Sequence, residues 1–354
     1  MPHINQSPNK NWTSLHDQLH KTLRQRKLLP ENQRILIAVS GGQDSISLTK
    51  LLLDLQSKWG WYLAIAHCDH RWRPDSEANA NYVKKLVTNW QLPFFLAVAD
   101  RVYQSEAEAR KWRYQTLSKI ALESNSQYIV TGHTASDRAE TLLYNLIRGS
   151  GTDGLQALTW QRPLTENSSL LLIRPLLEIT RSQTGDFCQE QKIGIWEDST
   201  NQDLRYARNR IRLELFPMLR QFNPQAELAL AQTAEILSAE VDYLENETEK
   251  LLEKVTKIDI DNLNISELES QQVKYINRLV LREVPLALQR RVIRRILQKV
   301  LPIHPNFSHI EKLTNLIDAP NRSQTDPFPG GAIAKVQHPW ILLVYIGKRE
   351  QFIN

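Results

Sequence analysis

The stretch ILIAVSGGQDSISLTKLLLDL, residues 35–55, decides the fold. Ile35 to Val39 is a β-branched and aliphatic run that stops at Ser40-Gly41-Gly42. From Asp44 the apolar residues Ile46, Leu48, Leu51 and Leu52 return at helical spacing. A short apolar run, a glycine turn and a helical period predict strand, tight loop and helix. A glycine loop that feeds a helix N-terminus is a natural phosphate cradle, because unpaired N–H groups and the positive end of the helix dipole meet there. The loop is not a Walker A motif, since it lacks the GxxxxGK[ST] lysine, and SGG before Asp also makes a good helix cap.

Outward from this unit the pattern repeats. Residues 13–28 predict a basic lead-in helix. WYLAIAHCDH (61–70) predicts a second strand ending at His67, and Ser76 to Trp90 a helix. LPFFLAVAD (92–100) and QYIVTGH (127–133) predict strands three and four around the helix 105–124, and DRAETLLYNLIRG (137–149) closes the series as a helix. This alternation implies an α/β fold with a parallel, doubly wound sheet covered on both faces. Ligands belong at the carboxyl ends of its strands, which puts Ser40, His67 and His133 along one edge. GSGTDG (149–154) matches a dinucleotide fingerprint in letters only, because a helical pattern and not a strand precedes it.

The 354-residue length predicts two domains, divided as 1–216 and 217–354. The second is smaller and mostly helical, with a long amphipathic helix from 223, another around 286–301, and a terminal β-hairpin in PFPGGAIAKVQHPWILLVYIG (327–347). Lys+Arg of 44 against Asp+Glu of 39 gives +5, which permits a polyanionic partner. Two cysteines, Cys68 and Cys188, without a CxxC pair exclude a zinc ribbon or a self-held iron–sulfur cluster and fit a reducing cytoplasm. No apolar run of about 18 residues occurs, so no membrane association is expected.

SGGQDS, HCDHRWRPDS, ARKWRY, TGHTASDRAET, RGSG and DSTNQDLRYARNRIR occur in that order between Ile35 and Pro217. The set closely resembles the tRNA(Ile)-lysidine synthetases of the N-type ATP pyrophosphatase (PP-loop) superfamily, whose adenine nucleotide alpha hydrolase-like fold suits the alternation above. The resemblance implies ATP and Mg as reactants, with Ser40, Gly41, Gly42, Gln43, Asp44 and Ser45 on the phosphates and Asp44 on the metal. It implies adenylation of the wobble cytidine of a CAU-anticodon tRNA(Ile), and displacement of AMP by L-lysine to give lysidine.

His133, Asp137 and Glu140 can face one crevice; Asp137 with Glu140 would hold the lysine ammonium, with Arg205 beside them, although DRAE also reads as a capping box with Asp137 as cap. Arg110 and Arg113, three apart on a helix, would meet ATP or the adenylate. Arg208 and Arg212 would meet tRNA, as would Arg290, Arg291, Arg294 and Arg295, the densest basic stripe in the second domain. Asn201, Asp203 and Asn209 complete the signature, and Arg73 and Ser76 match its loop. Two departures stand out: Asp69 where the family shows Asn, and Arg138 where it shows Gln. His67, Asp69 and His70 have metal-ligand spacing, but hydrogen-bonding roles at a strand end are the preferred reading. The rivals are a PP-loop tRNA-thiolating enzyme, for which the two cysteines are poorly placed, and a catalytically silent RNA-binding protein of the same fold. A homodimer is left open.

Overall fold

The computed structural model describes residues 12–72, 74–165, 168–196, 202–256 and 273–345. Arg73 and Asn201 lie outside the described residues. The chain divides into two compact units, 1–238 and 239–354, a division that falls inside one long helix.

Unit 1 begins with helix α1 (Ser14–Arg26), then alternates β1 (Arg34–Ala38), α2 (Gln43–Trp59), β2 (Tyr62–Asp69), α3 (Ser76–Asn89), β3 (Phe94–Val98), α4 (Glu106–Glu123), β4 (Tyr128–Thr131) and α5 (Ala135–Ile147). The short α6 (Thr152–Leu155), β5 (Gln161–Pro163), β6 (Leu171–Ile173) and α7 (Arg181–Glu190) follow. The last part of the unit is helical: α8 (Ala207–Arg210), one π-helical turn (Ile211–Leu215), α9 (Phe216–Phe222) and the start of α10 (Ala226–Thr256). GSGTDG turns from α5 into α6 with no strand before it, as its helical prelude predicts.

The sheet order is β3-β2-β1-β4-β6-β5, parallel except for the edge strand β5. The two-residue period of β1 separates the faces. Ile35 and Ile37 pack in the core built with Ile46, Leu48, Leu51 and Leu52 of α2. Leu36 packs on the other side with Leu117, Ile120 and Ala121 of α4. From β1 the chain runs to β2 and β3, then returns to β4 on the opposite flank. The gap between the carboxyl ends of β1 and β4 is therefore the topological switch point, where open α/β sheets bind ligands.

In unit 2, β7 (Val273–Asn277), α11 (Arg278–Arg282), α12 (Leu286–Val300), α13 (Phe307–Thr314), β8 (Ala332–Gln337) and β9 (Trp340–Tyr345) surround a core that includes Val255, Ile276, Val292, Ile296, Leu313 and Ile341. The expected hairpin is present, turning at His338-Pro339, and it is two-thirds of a sheet ordered β7-β9-β8. The third strand, VKYIN, escapes sequence reading because its five residues carry neither a clean alternation nor turn signals beside them.

Candidate active site

The loop after β1 is shaped by its own hydroxyls. Ser40 N–H donates to Ser45 Oγ at 3.2 Å, and Ser45 Oγ donates to the Gly42 carbonyl at 3.0 Å. Gly41 sits at φ +95°, where a Cβ would lie 2.2 Å from Asn79 Oδ1. Both the backbone angle and the space demand glycine. Asn79 Nδ2 donates to the Ser40 carbonyl at 2.9 Å, and Trp196 N–H to the Gly41 carbonyl at 2.9 Å, so the loop is braced from α3 and from the segment after α7. Gly42 is the N-cap of α2 and offers no side-chain acceptor, which leaves the first-turn amides open. Across the switch point Gly132 packs so closely that a Cβ would stand 2.8–2.9 Å from main-chain atoms of Asp44 and Ser45.

A cavity of about 270 Å³ opens over this turn, lined by Ser40, Gly42, Asp44 and Ser45 of the loop and by His70, Asn79, Arg113, His133, Asp137 and Arg181. His133 accepts or donates through Nδ1 to Thr131 Oγ1 at 2.8 Å. Burial pushes its pKa down to about 3, assisted by the cations Arg174, Arg113 and Arg110 and opposed by Asp137, so its ring is neutral at pH 7. Burial raises the Asp44 carboxyl above its ordinary range, with Asp137 adding to the rise while Arg181 and Thr184 oppose it. Its two oxygens are engaged: Arg181 Nη1 donates to Oδ2 at 2.7 Å and Thr184 Oγ1 to Oδ1. Arg181 and Thr184 lie in no motif the sequence singled out; only the packing of α7 against α2 brings them there. Gln43 turns its side chain away from the cavity, onto the Arg181 carbonyl at 2.5 Å and Thr184 Oγ1 at 3.1 Å, so its share of a phosphate site is its backbone.

The capping box is real but sits one turn earlier than DRAE suggests. Thr134 is the N-cap and Asp137 is the third residue, its Oδ2 accepting from Thr134 N–H at 2.7 Å and Oγ1 at 2.8 Å. Glu140 is free of that duty and is buried elsewhere. Arg212 holds it with a fork, Nε to Oε1 at 2.6 Å and Nη2 to Oε2 at 2.9 Å, in a second cavity of about 810 Å³ lined also by Ser136, Arg181 and Glu227. Burial raises the Glu140 carboxyl and Arg212 opposes the rise. Asp137 and Glu140 thus face adjoining cavities, both of which Arg181 lines.

The structure separates residues that spacing had grouped. Arg113 lines the main cavity, whereas Arg110 lines a different groove with Tyr144, Tyr206 and Arg208. Both guanidiniums lie over the Tyr114 ring, 5.3 and 5.7 Å from its centre, and both act electrostatically on His133. Arg205 is exposed, paired with Asp203 at 2.6 Å, and lines neither the main nor the second cavity. Arg212, expected on tRNA, is committed to Glu140. In unit 2, Arg290 forks onto Glu311 at 2.7 and 2.8 Å. Arg291, Arg294 and Arg295 converge on Glu245. Arg291 is buried, and Arg290 and Arg295 keep the most open side chains of the four, at 39% each.

His67 is buried with Nδ1 2.7 Å from the Val39 carbonyl, and Asp69 Oδ1 accepts the Arg71 N–H at 2.8 Å, so both serve the strand end. Arg138 is buried and donates to Glu235, which also receives Trp160 Nε1 at 2.7 Å and Arg26 Nη1 at 2.6 Å. Cys68 lines the main cavity but burial drives its thiol up to about 12, and Cys188 is buried 3.0 Å from Ser47 Oγ. Neither supplies a thiolate, and no cluster of three or more His, Cys, Asp or Glu suited to a metal occurs among the described residues. Nor is any helix among them long and apolar enough to cross a membrane.

A glycine turn at the switch point of a 3-2-1-4 sheet, with open amides above a half-buried aspartate, defines a PP-loop nucleotide-binding protein, and residues 12–219 match the PP-loop domain family. Residues 277–338 match the TilS substrate binding domain. A tRNA(Ile)-lysidine synthase of Nostoc sp. (strain PCC 7120) is 65% identical over 334 residues, 94% of this chain and 97% of its own. One from Synechocystis sp. (strain PCC 6803) is 49% identical over 95% of this chain and 99% of its own. A chloroplastic one from Zygnema circumcarinatum is 37% identical over 83% and 77%. The chain belongs to the tRNA(Ile)-lysidine synthase family. Among solved structures the U34-tRNA thiolase NcsA from Methanococcus maripaludis shares the fold, with a TM-score of 0.51 over 63% of this chain and 78% of that one at 14% identity.

Proposed function

We propose that the chain converts the wobble cytidine of tRNA(Ile) with a CAU anticodon to lysidine, consuming ATP and L-lysine and releasing AMP and pyrophosphate. The open first turn of α2 above the half-buried Asp44 is the observation that carries this reading. Attack at the α-phosphate makes pyrophosphate the leaving group, and amides aimed at its charge stabilise its departure. Ser40, Ser45 and the backbone of residues 41–45 would take the β- and γ-phosphates, and Arg113 with neutral His133 the side nearer the α-phosphate. Residues 1–216 would carry the chemistry and 217–354 would engage tRNA, with Arg290 and Arg295 on its backbone.

One half-buried carboxylate beside a phosphate cradle fits Mg²⁺, which binds through one or two carboxylates plus phosphate oxygens; Asp44 would hold it, and it would neutralise charge on the departing pyrophosphate. Asp137 is the carboxylate best placed for lysine: its Oδ1 is 3.8 Å from Arg212, whereas both oxygens of Glu140 are forked. It would orient the ε-amine and take the proton that an ammonium must lose before it can attack. Glu140 joins only if its fork with Arg212 opens.

A pyrophosphate-release assay tests the reading. Release is expected only with tRNA(Ile) bearing CAU, and lysidine only when lysine is added. Release driven by cysteine or sulfide as second substrate would instead indicate thiolation, and no release with any tRNA would indicate a silent binder.

A further inference from the structure

The carboxylate expected to meet the metal already has a cationic partner. Arg181 Nη1 lies 2.7 Å from Asp44 Oδ2. The main chain of Arg181 is pinned on both sides: its N–H donates to Ser136 Oγ at 3.1 Å, and its carbonyl accepts from Gln43 Nε2 at 2.5 Å and lies 2.9 Å from Thr184 Oγ1. Its side chain, 34% exposed, is the part with freedom to move. The other oxygen, Oδ1, accepts a hydrogen bond from the Thr184 hydroxyl. That hydroxyl has a single proton and two acceptors within reach, Asp44 Oδ1 and the Arg181 carbonyl, so it stays satisfied if the carboxylate turns elsewhere. Neither partner of Asp44 would be stranded by letting go, which makes the arrangement unlike a buried ion pair that must stay shut.

We propose that Arg181 is a stand-in for the metal: its guanidinium holds the cationic place at Asp44 and yields it when a magnesium–nucleotide complex enters. This rests on the reading of Asp44 as the magnesium residue. Without Arg181 the half-buried carboxylate would face the incoming triphosphate with no cation against it, only the Thr184 hydroxyl. With it, the carboxylate is electrically balanced, at the expense of a competition the metal must win. Arg181 is a positioning residue in this role, acting through Asp44.

The sign of one binding constant tests the proposal. Titrations of ATP in excess Mg²⁺ and of ATP in EDTA, without tRNA and at pH 8, compare the full-length protein with Arg181→Gln and Arg181→Lys. The main-chain anchors of Arg181 do not depend on its side chain, so both variants should fold. Removing the competitor should tighten Mg–ATP binding about three- to tenfold in Arg181→Gln. Arg181→Lys, which keeps a cation, should stay near wild type. Weaker Mg–ATP binding by Arg181→Gln would make Arg181 a phosphate ligand and overturn the proposal, and so would an unchanged constant. Asp44→Asn separates the two levels of the argument. If its ATP affinity gains nothing from Mg²⁺ while Arg181→Gln is no tighter than wild type, the stand-in role alone fails. If Asp44→Asn keeps the full wild-type gain from Mg²⁺, the magnesium reading fails and the stand-in role with it.

Discussion

At the residue scale, Asp44 and His133 show one cavity pressing an acid and a base toward their neutral forms. Burial raises the carboxyl of the first and lowers the imidazole of the second to about 3. The sign for stability follows from proton counts. Between pH 6.5, the ordinary imidazole value, and about 3, the unfolded chain binds a proton at His133 that the folded chain refuses, so acidification through this window destabilises the fold. Urea unfolding should show wild type losing on the order of 1 kcal/mol more than His133→Asn between pH 7 and 5.5; equal losses would mean the ring is protonated without penalty. The raised carboxyls of Asp44 and Glu140 act in the opposite sense but are present in both proteins and cancel in the difference. Asp44→Ala should abolish adenylation, lowering pyrophosphate release by at least about 10²-fold, and near-normal turnover would remove its metal role. Both residues are legible in the sequence because each follows an apolar strand at a glycine. Arg181 and Thr184 are not, because what matters about them is a contact with a residue some 140 positions away.

At the element scale, the pairing of α5 with the π-helical turn fixes the second carboxylate. Arg212 lies on that turn, and its fork lies against the buried Glu140. Arg205 lies in the turn before α8, Arg208 on α8 and Arg212 on the π-turn, so the three arginines share no single helical register and meet different surroundings: Asp203, the Arg110 groove and Glu140. Arg212→Leu strands a carboxylate that is 3% exposed and should cost about 2 kcal/mol or more in urea unfolding, with Glu140→Gln in the same chain restoring most of it. Additive losses in the double variant would show that the fork contributes nothing to stability. The i, i+3 pair Arg110 and Arg113 shares a face on a regular helix, as spacing predicts: both lie over the Tyr114 ring, while Arg113 lines the main cavity and Arg110 the neighbouring groove.

At the scale of the whole molecule, the +5 charge suits a polyanionic partner, but net charge does not say which cations are available to it. In α12, four arginines share Glu311 and Glu245, and those with the most open side chains are Arg290 and Arg295. Replacing both with Gln should weaken tRNA binding and reduce the steepness of its salt dependence by about one to two phosphate contacts. The same substitutions at Arg291 and Arg294 should change stability more than the salt slope. Filter binding between 50 and 200 mM salt reads both outcomes, and an unaltered slope in the Arg290/Arg295 variant would place the tRNA contacts on other residues.

The sequence by itself determined the alternating sheet, its switch point and the phosphate-type loop, because strand and helix periods and glycine turns are local properties carried by consecutive residues. It also supplied the ordered motifs that the tRNA(Ile)-lysidine synthase family shares. The tertiary structure alone decided which charges face one another: Asp44 with Arg181, Glu140 with Arg212, Glu245 with three arginines of α12. Electrostatic partnership depends on distance in space and on the exclusion of water around each pair, and neither quantity is written along the chain.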